Sequence, residues 1–152
     1  MPYILPEVVD QARQIDLLTY LQSCEPQELV RISGFSHGTN VWLNNARDLI
    51  TSGKVKLEEA ISTRDDIMNY LIEHHVKPLT AFKVMENVRK GKGLEKGNSN
   101  NRKELEDARV PQWFIDSCLK ISYLFPRAHA VAYVMMAFRI AWFKVYEPLA
   151  YY

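Results

Sequence analysis

Apolar positions recur every three or four residues along almost the whole chain, the period of helices that bury one face. Pro6 is followed by Val8, Val9, Ala12, Ile15, Leu18 and Leu21, so a first helix is expected over 6–21. A short helix over 26–32 comes next and is expected to break at Gly34 in "RISGFSHGTN", which holds two glycines, three hydroxyls and a histidine. Thr39 offers a cap for a helix carrying Val41, Trp42, Ala46, Leu49 and Ile50, with Gly53 as its stop. Leu57 to Ile61 adds one or two further turns.

"STRDDIMNYLIEHHV" opens on Thr63 as an N-cap, with Asp65 and Asp66 at the positive end of the helix dipole. Pro78 starts another helix, with Leu79, Phe82, Met85 and Val88 on one face, and the glycines of "RKGKG" end it. The Gly-, Asn- and Lys-rich stretch 91–103 reads as a polar linker with almost nothing to bury. "KELEDAR" suggests a short solvated helix. Pro111 opens "PQWFIDSCLKISYLF", and Pro126 ends it and begins a last helix reaching about Tyr146. Strand alternation is nowhere sustained. The predicted fold class is all-α, a multi-helix domain.

Composition narrows the class. At 152 residues, 47% hydrophobic and 24% charged, the chain suits one domain or two small lobes and can build a real core. The Met-Pro start has no signal-peptide pattern. The longest apolar run, Ala130 to Phe138, stops at Arg139, short of the ~18 residues of a membrane span. No membrane partner is expected. Cys24 and Cys118 lie far apart without a CxxC, which points to a reducing cytoplasm. No zinc-site spacing is present, and the adjacent His74 and His75 would diverge by about 100° on a helix, so no metal site is expected.

The net charge of +1 hides an asymmetry. Residues 77–103 carry eight basic side chains against Glu86 and Glu95, and no acid occurs from Ser117 to Tyr146. Such zones fit either a solvated surface or an anionic partner. In "FPRAHAVAYVMM", the free N–H groups after Pro126, with Arg127 and His129, could receive an anion. His129, Tyr133, Met136 and Ile140 then fall on one stripe. From this stretch alone a capped core helix, whose His and Tyr find ordinary partners, is the preferred reading. "VRKGKG" sets Arg89, Lys90 and Lys92 among glycines, a pattern that suits phosphate oxygens, but it lacks the Walker A order. Ser36 and His37 evoke a nucleophile and base without a GxSxG or a specified carboxylate. No acid pair is placed to hold paired metal ions, so no catalytic residue is expected.

Four stretches together resemble a known family. "RISGFSHGTNVWLNNARDLI", "RDDIMNYLI", "AFKVMENVRKGKGL" and "WFIDSCLKISYLFPRAHAVAYVMMAFRIAWFKVYEPLAYY" are similar, in order and spacing, to the fingers region of the PolC-type DNA polymerase III alpha subunit. This C-family replicative enzyme belongs to low-GC Gram-positive bacteria. The resemblance covers residues 29–152. It implies a helical fingers domain that closes over the incoming deoxynucleotide and the templating base. It places Arg31, Ser33, Ser36 and His37 in a hinged loop and Arg64 at the head of the "RDD" helix. Arg89, Lys90 and Lys92 would form a basic turn near the triphosphate and primer–template. Phe125, Arg127, His129 and Tyr133 would open the nucleotide-facing helix, with Ser33 and Phe125 closest to the base. Asn40 and Thr63 depart from the family pattern, and "EKGNSNNRK" is longer and more polar than its linker.

The implied partners are a dNTP, primer–template DNA and the remainder of the alpha subunit. No cofactor is implied here, because Mg²⁺ belongs with the palm, whose catalytic aspartates would lie elsewhere. The fragment is therefore expected to be inactive alone. Residues 1–28 instead resemble the opening of zinc-ribbon primase-like proteins of mobile elements, which suggests a junction near 28/29. "YEPLAYY" reads as a chain cut within a larger protein. Two other readings compete: a non-catalytic mobile-element module that binds nucleic acid or a replication protein, and a remnant without function.

Overall fold

The computed structural model describes residues 26–94 and 100–152. The expected helix over 6–21, Cys24 and the centre of the polar linker, 95–99, lie outside these residues, as does all but 26–28 of the segment before the 28/29 junction. The described chain runs α1 (Pro26–His37), an irregular π-type turn (Trp42–Ala46), α2 (Arg47–Thr51), α3 (Arg64–Glu73), α4 (Pro78–Arg89), α5 (Asn101–Asp107), α6 (Gln112–Lys120), α7 (Arg127–Tyr146) and α8 (Pro148–Tyr151). No strand occurs among the described residues, and the one isolated bridge joins Thr39 to Tyr123. The all-α expectation holds.

Several local expectations are corrected by packing. Gly34 does not break α1, which continues to His37. A Cβ at Gly34 would stand 2.5 Å from the Ser62 carbonyl oxygen, so this glycine permits two backbones to touch. Thr39 caps no helix; its backbone pairs with Ser122 and Tyr123 instead. Residues 42–46 turn through an extended Leu43 and a left-handed Asn44, which leaves only a short α2. Residues 57–61 make turns rather than a helix. Gly53 does terminate α2, at φ 71°.

The apolar face of α4 is Ala81, Val84, Met85 and Val88, while Leu79 and Phe82 face outward. The contiguous 81-84-85-88 stripe wins because it meets α3, the partner across the short 74–77 connection. Within the polar stretch 91–103, Leu94 is buried and its carbonyl accepts from Asn101 Nδ2 at 2.8 Å, so both ends of the segment are anchored.

Helix α6 ends at Lys120, well before Pro126. The backbone from Ile121 to Phe125 runs extended because its polar groups pair elsewhere. The Thr39 carbonyl accepts from Ser122 and Tyr123, the Arg89 carbonyl accepts from Leu124, and the Phe125 carbonyl accepts from Arg64. One core joins these elements, with Ile32, Phe35, Ile61, Ile67, Leu71, Leu105, Phe114, Ile115 and Leu124 fully buried. Tyr70 of α3 stacks on Phe114 of α6 at 4.2 Å and on His74 at 4.2 Å. Buried Asn45 fixes the irregular turn to α6: its Oδ1 accepts from Ser117 Oγ at 2.6 Å, and its Nδ2 donates to the Asn40 and Ser117 carbonyls.

Helix α7 differs from the rest. Only Ala130 is buried, and Val131, Tyr133, Met135, Met136, Ile140, Trp142, Phe143, Val145 and Tyr146 are exposed. By length and mean hydropathy (20 residues, 1.2) it could also cross a membrane, a property that counting uninterrupted runs missed.

Candidate nucleotide and nucleic-acid interface

The extended segment 121–126 fastens three groups of side chains to one another. The first is aromatic. Phe125 stacks on His129 at 5.1 Å, His129 meets Tyr133 at 4.8 Å, and His37 of α1 touches Phe125 at 5.7 Å and Tyr133 at 6.0 Å. With Ser33 and Ala130 these residues line a crevice of about 10 Å³. That holds no more than one water, so a planar base has no room between α1 and α7 in this arrangement. Tyr133 is 56% exposed, and its outer face is open for stacking.

His37 Nδ1 lies 2.9 Å from both the Ser33 carbonyl and Ser36 Oγ, while Ser36 Oγ itself donates to the Ser33 carbonyl. The ring is thereby held across its own helix. No carboxylate contacts it among the described residues, so the elements of a hydrolytic triad are not assembled.

The second group surrounds the first turn of α3. Asp66 Oδ2 accepts from the N–H groups of Ser62 and Thr63 at 3.0 and 2.9 Å and from Ser62 Oγ at 2.7 Å. It also faces Arg31 Nη1 at 3.7 Å, and its Oδ1 faces Arg127 Nη2 at 3.4 Å. Arg31 Nη1 donates to the Ala60 carbonyl at 3.0 Å. Asp65 Oδ2 accepts from the Arg127 N–H at 2.6 Å. The start of α7, read from sequence as open to an anion, therefore already carries a protein carboxylate on its first N–H. Asp65 and Asp66, read from sequence as partners of their own helix dipole, also bracket Arg127, one at its backbone and one at its guanidinium. Thr63 stands at the N-cap of α3 as expected, and Asp66, three residues on, closes the capping box by accepting from the Thr63 N–H.

The third group centres on Glu86. Arg89 Nε and Nη2 donate to its two oxygens at 2.6 and 3.0 Å, Lys90 Nζ lies at 3.0 Å, and Arg64 Nη1 at 4.0 Å. Hydrogen bonds from Arg89 and Lys90 hold the Glu86 carboxyl down from 4.5 to about 2, and Glu86 in turn raises Arg89. Lys92 is exposed on the following turn, where Gly91 lies against the Ser122 backbone.

Arg31, Ser33, His37, Arg64, Arg89, Lys90, Phe125, Arg127, His129 and Tyr133 are thus linked in one network, with Lys92 at its edge. Arg31 also lines a separate cleft of about 410 Å³ with Gln27, Glu28, Leu57 and Glu58. Sequence reasoning missed the three acids that organise the cations. The i, i+3 and i, i+4 spacing of Glu86, Arg89 and Lys90 was a usable signal. The reach of Asp65 to Arg127 crosses 62 positions and left no local trace.

A metal would find little here. Asp65, Asp66 and Glu86 are engaged by N–H groups and guanidinium or ammonium donors, and no group of three His, Cys, Asp or Glu among the described residues could hold an ion. The acids fit the role of counter-ions.

The family model described as the bacterial DNA polymerase III alpha subunit finger domain matches residues 9–110. The chain belongs to this finger-domain family. DNA polymerase III PolC-type of Thermotoga maritima is 63% identical over 125 residues, covering 82% of the chain and 9% of that protein. The corresponding proteins of Caldanaerobacter subterraneus and Staphylococcus aureus are 60% and 58% identical over the same length, with 9% and 8% of their own chains covered. The polymerase III finger domain thus spans less than a tenth of the relatives it matches, and the fingers resemblance read from sequence is borne out. The matched span begins at residue 9, within the stretch that the primase-like resemblance covers.

Proposed function

We propose that this finger domain binds the phosphates of an incoming deoxynucleotide and of primer–template DNA, and that it works as one part of a PolC-type alpha subunit. The observation that carries the reading is the fastening of segment 121–126 to Thr39, Arg89 and Arg64. It joins an exposed aromatic to two clusters of cations, the pairing of stacking surface and phosphate ligands that nucleotides need. Lys90 and Lys92 would meet phosphate directly, since they are exposed on a turn whose backbone is fixed. Tyr133 would offer its outer face to a base. Arg31, 18% exposed and paired with Asp66, would orient the helices from within, while Arg127, 42% exposed and sharing that single carboxylate, would add a further phosphate contact.

The exposed apolar surface of α7 suits coverage by the rest of a much longer subunit, because a helix that is apolar all round is ordinarily a buried one. This explains its span-like hydropathy without a membrane. Bond-making chemistry would fall to residues of the alpha subunit beyond this chain, together with the metal ions they hold. A cytoplasmic location follows from the same reading.

The test is binding of a dNTP and of a fluorescent primer–template at several salt concentrations, beside a Lys90→Ala, Lys92→Ala double variant. Saturable binding that weakens with salt and drops in the variant supports the reading. A folded chain that binds neither ligand refutes it.

A further inference from the structure

The two anionic centres of the interface are built differently. Asp66 is 10% exposed, and two backbone N–H groups and a hydroxyl hold it in addition to Arg31 and Arg127. It is part of the α3 cap and cannot leave without opening the helix start. Glu86 is 22% exposed, stands on the surface of α4, and its bonds run only to the side chains of Arg89, Lys90 and Arg64. Nothing in the backbone depends on it. Its carboxylate can rotate away at the cost of those side-chain bonds alone.

We propose that Glu86 is a displaceable internal counter-ion, which gathers Arg64, Arg89 and Lys90 in the unliganded chain and gives up its place to a polyphosphate. The inference rests on the phosphate-binding reading above. Three positive groups face one negative group, so the cluster keeps a positive surplus that a single carboxylate leaves unmet. The bidentate hold on Arg89 shows the geometry that the replacing anion must reproduce. Two oxygens about one atom apart meet Nε and Nη2, and a further oxygen meets Lys90. A polyphosphate offers this together with more charge than a carboxylate carries. A singly charged anion exchanges one carboxylate's worth of charge for another and gains little. Glu86 therefore keeps the cations ordered and screens out weak anions, and any ligand must compete with it.

The probe is sodium tripolyphosphate, titrated by calorimetry at low ionic strength without divalent metal into three proteins: the wild-type chain, Glu86→Gln and Glu106→Gln. Glu106 pairs with Arg102 at 3.1 Å on the exposed face of α5 and controls for the loss of one negative charge. Glu86→Gln is expected to bind about three- to tenfold tighter than wild type, the order expected from releasing partly exposed ion pairs. Glu106→Gln is expected to stay within about twofold of wild type. Its melting temperature without ligand should fall for Glu86→Gln and recover further than wild type on adding tripolyphosphate. Weaker binding by Glu86→Gln would make Glu86 a positioning group and overturn the proposal. An equal gain in both variants would assign the effect to net charge and overturn it too. If wild type binds and Glu86→Gln does not gain, this inference fails while the phosphate-binding reading stands. If neither folded protein binds, both fail.

Discussion

Gly34→Ala offers the sharpest test of the packing that builds the site, because two effects of known sign oppose each other. In an open helix interior, alanine is favoured over glycine by about 1 kcal/mol. At position 34 the new Cβ would lie 2.5 Å from the Ser62 carbonyl oxygen, 3.0 Å from its carbon and 3.2 Å from its Cβ. The opposing atoms are mainly backbone and cannot rotate away. The surroundings are full: Ile32, Phe35, Ile61 and Ser62 are all buried. The Ser62 N–H is held by Asp66, and the Ala60 carbonyl by Arg31. Overpacking of this kind costs about 3 kcal/mol at the upper end of the usual range. The net expectation is a loss of about 2 kcal/mol, a fall in melting temperature of roughly 4–8 °C for a chain of this size. Urea denaturation followed by circular dichroism reads it directly, as a lower midpoint with an unchanged slope. A variant as stable as wild type, or more stable, would mean that α1 and the 60–63 segment do not touch as described. Gly34 would then be the hinge that the sequence suggested.

Two further predictions concern the charged centres. Asp66→Asn should lower stability by about 1–3 kcal/mol, because an amide cannot match the carboxylate's bonds to two N–H groups, a hydroxyl and two guanidinium groups; an unchanged denaturation midpoint would count against the cap. Glu86 titrates near 2 in the folded chain instead of near 4.5, so its contribution is fully present above about pH 4.5 and is lost as the pH falls towards 2. The stability difference between wild type and Glu86→Gln, measured by urea at stepped pH, should therefore be constant from pH 7 to 5 and shrink below it; a difference that instead shrinks on going from pH 5 to 7 would contradict the assignment.

The sequence by itself determined the helical class, because a period near 3.6 recurs wherever apolar residues are dense and strand alternation is absent. It also located Pro78 and Pro126 at or beside helix starts and Gly53 beyond a helix end, since these residues act through their own backbone geometry. Four ordered motifs carried the family. What spacing alone did not decide was which polar and glycine residues serve function and which serve contact. Gly34 resembles a hinge in the string of letters and is a point of backbone approach in three dimensions. "KISYLF" resembles the end of a helix, yet its backbone pairs with Thr39, Arg89 and Arg64 from three distant elements. Arg31, Arg64, Arg89 and Arg127 look like free cations in a list of charges. The i, i+3 spacing already hints at Glu86 for Arg89, but only the fold brings Asp66 to Arg31 and Arg127 and Glu86 to Arg64, because a carboxylate's reach is a few ångströms in space and has no fixed distance along the chain.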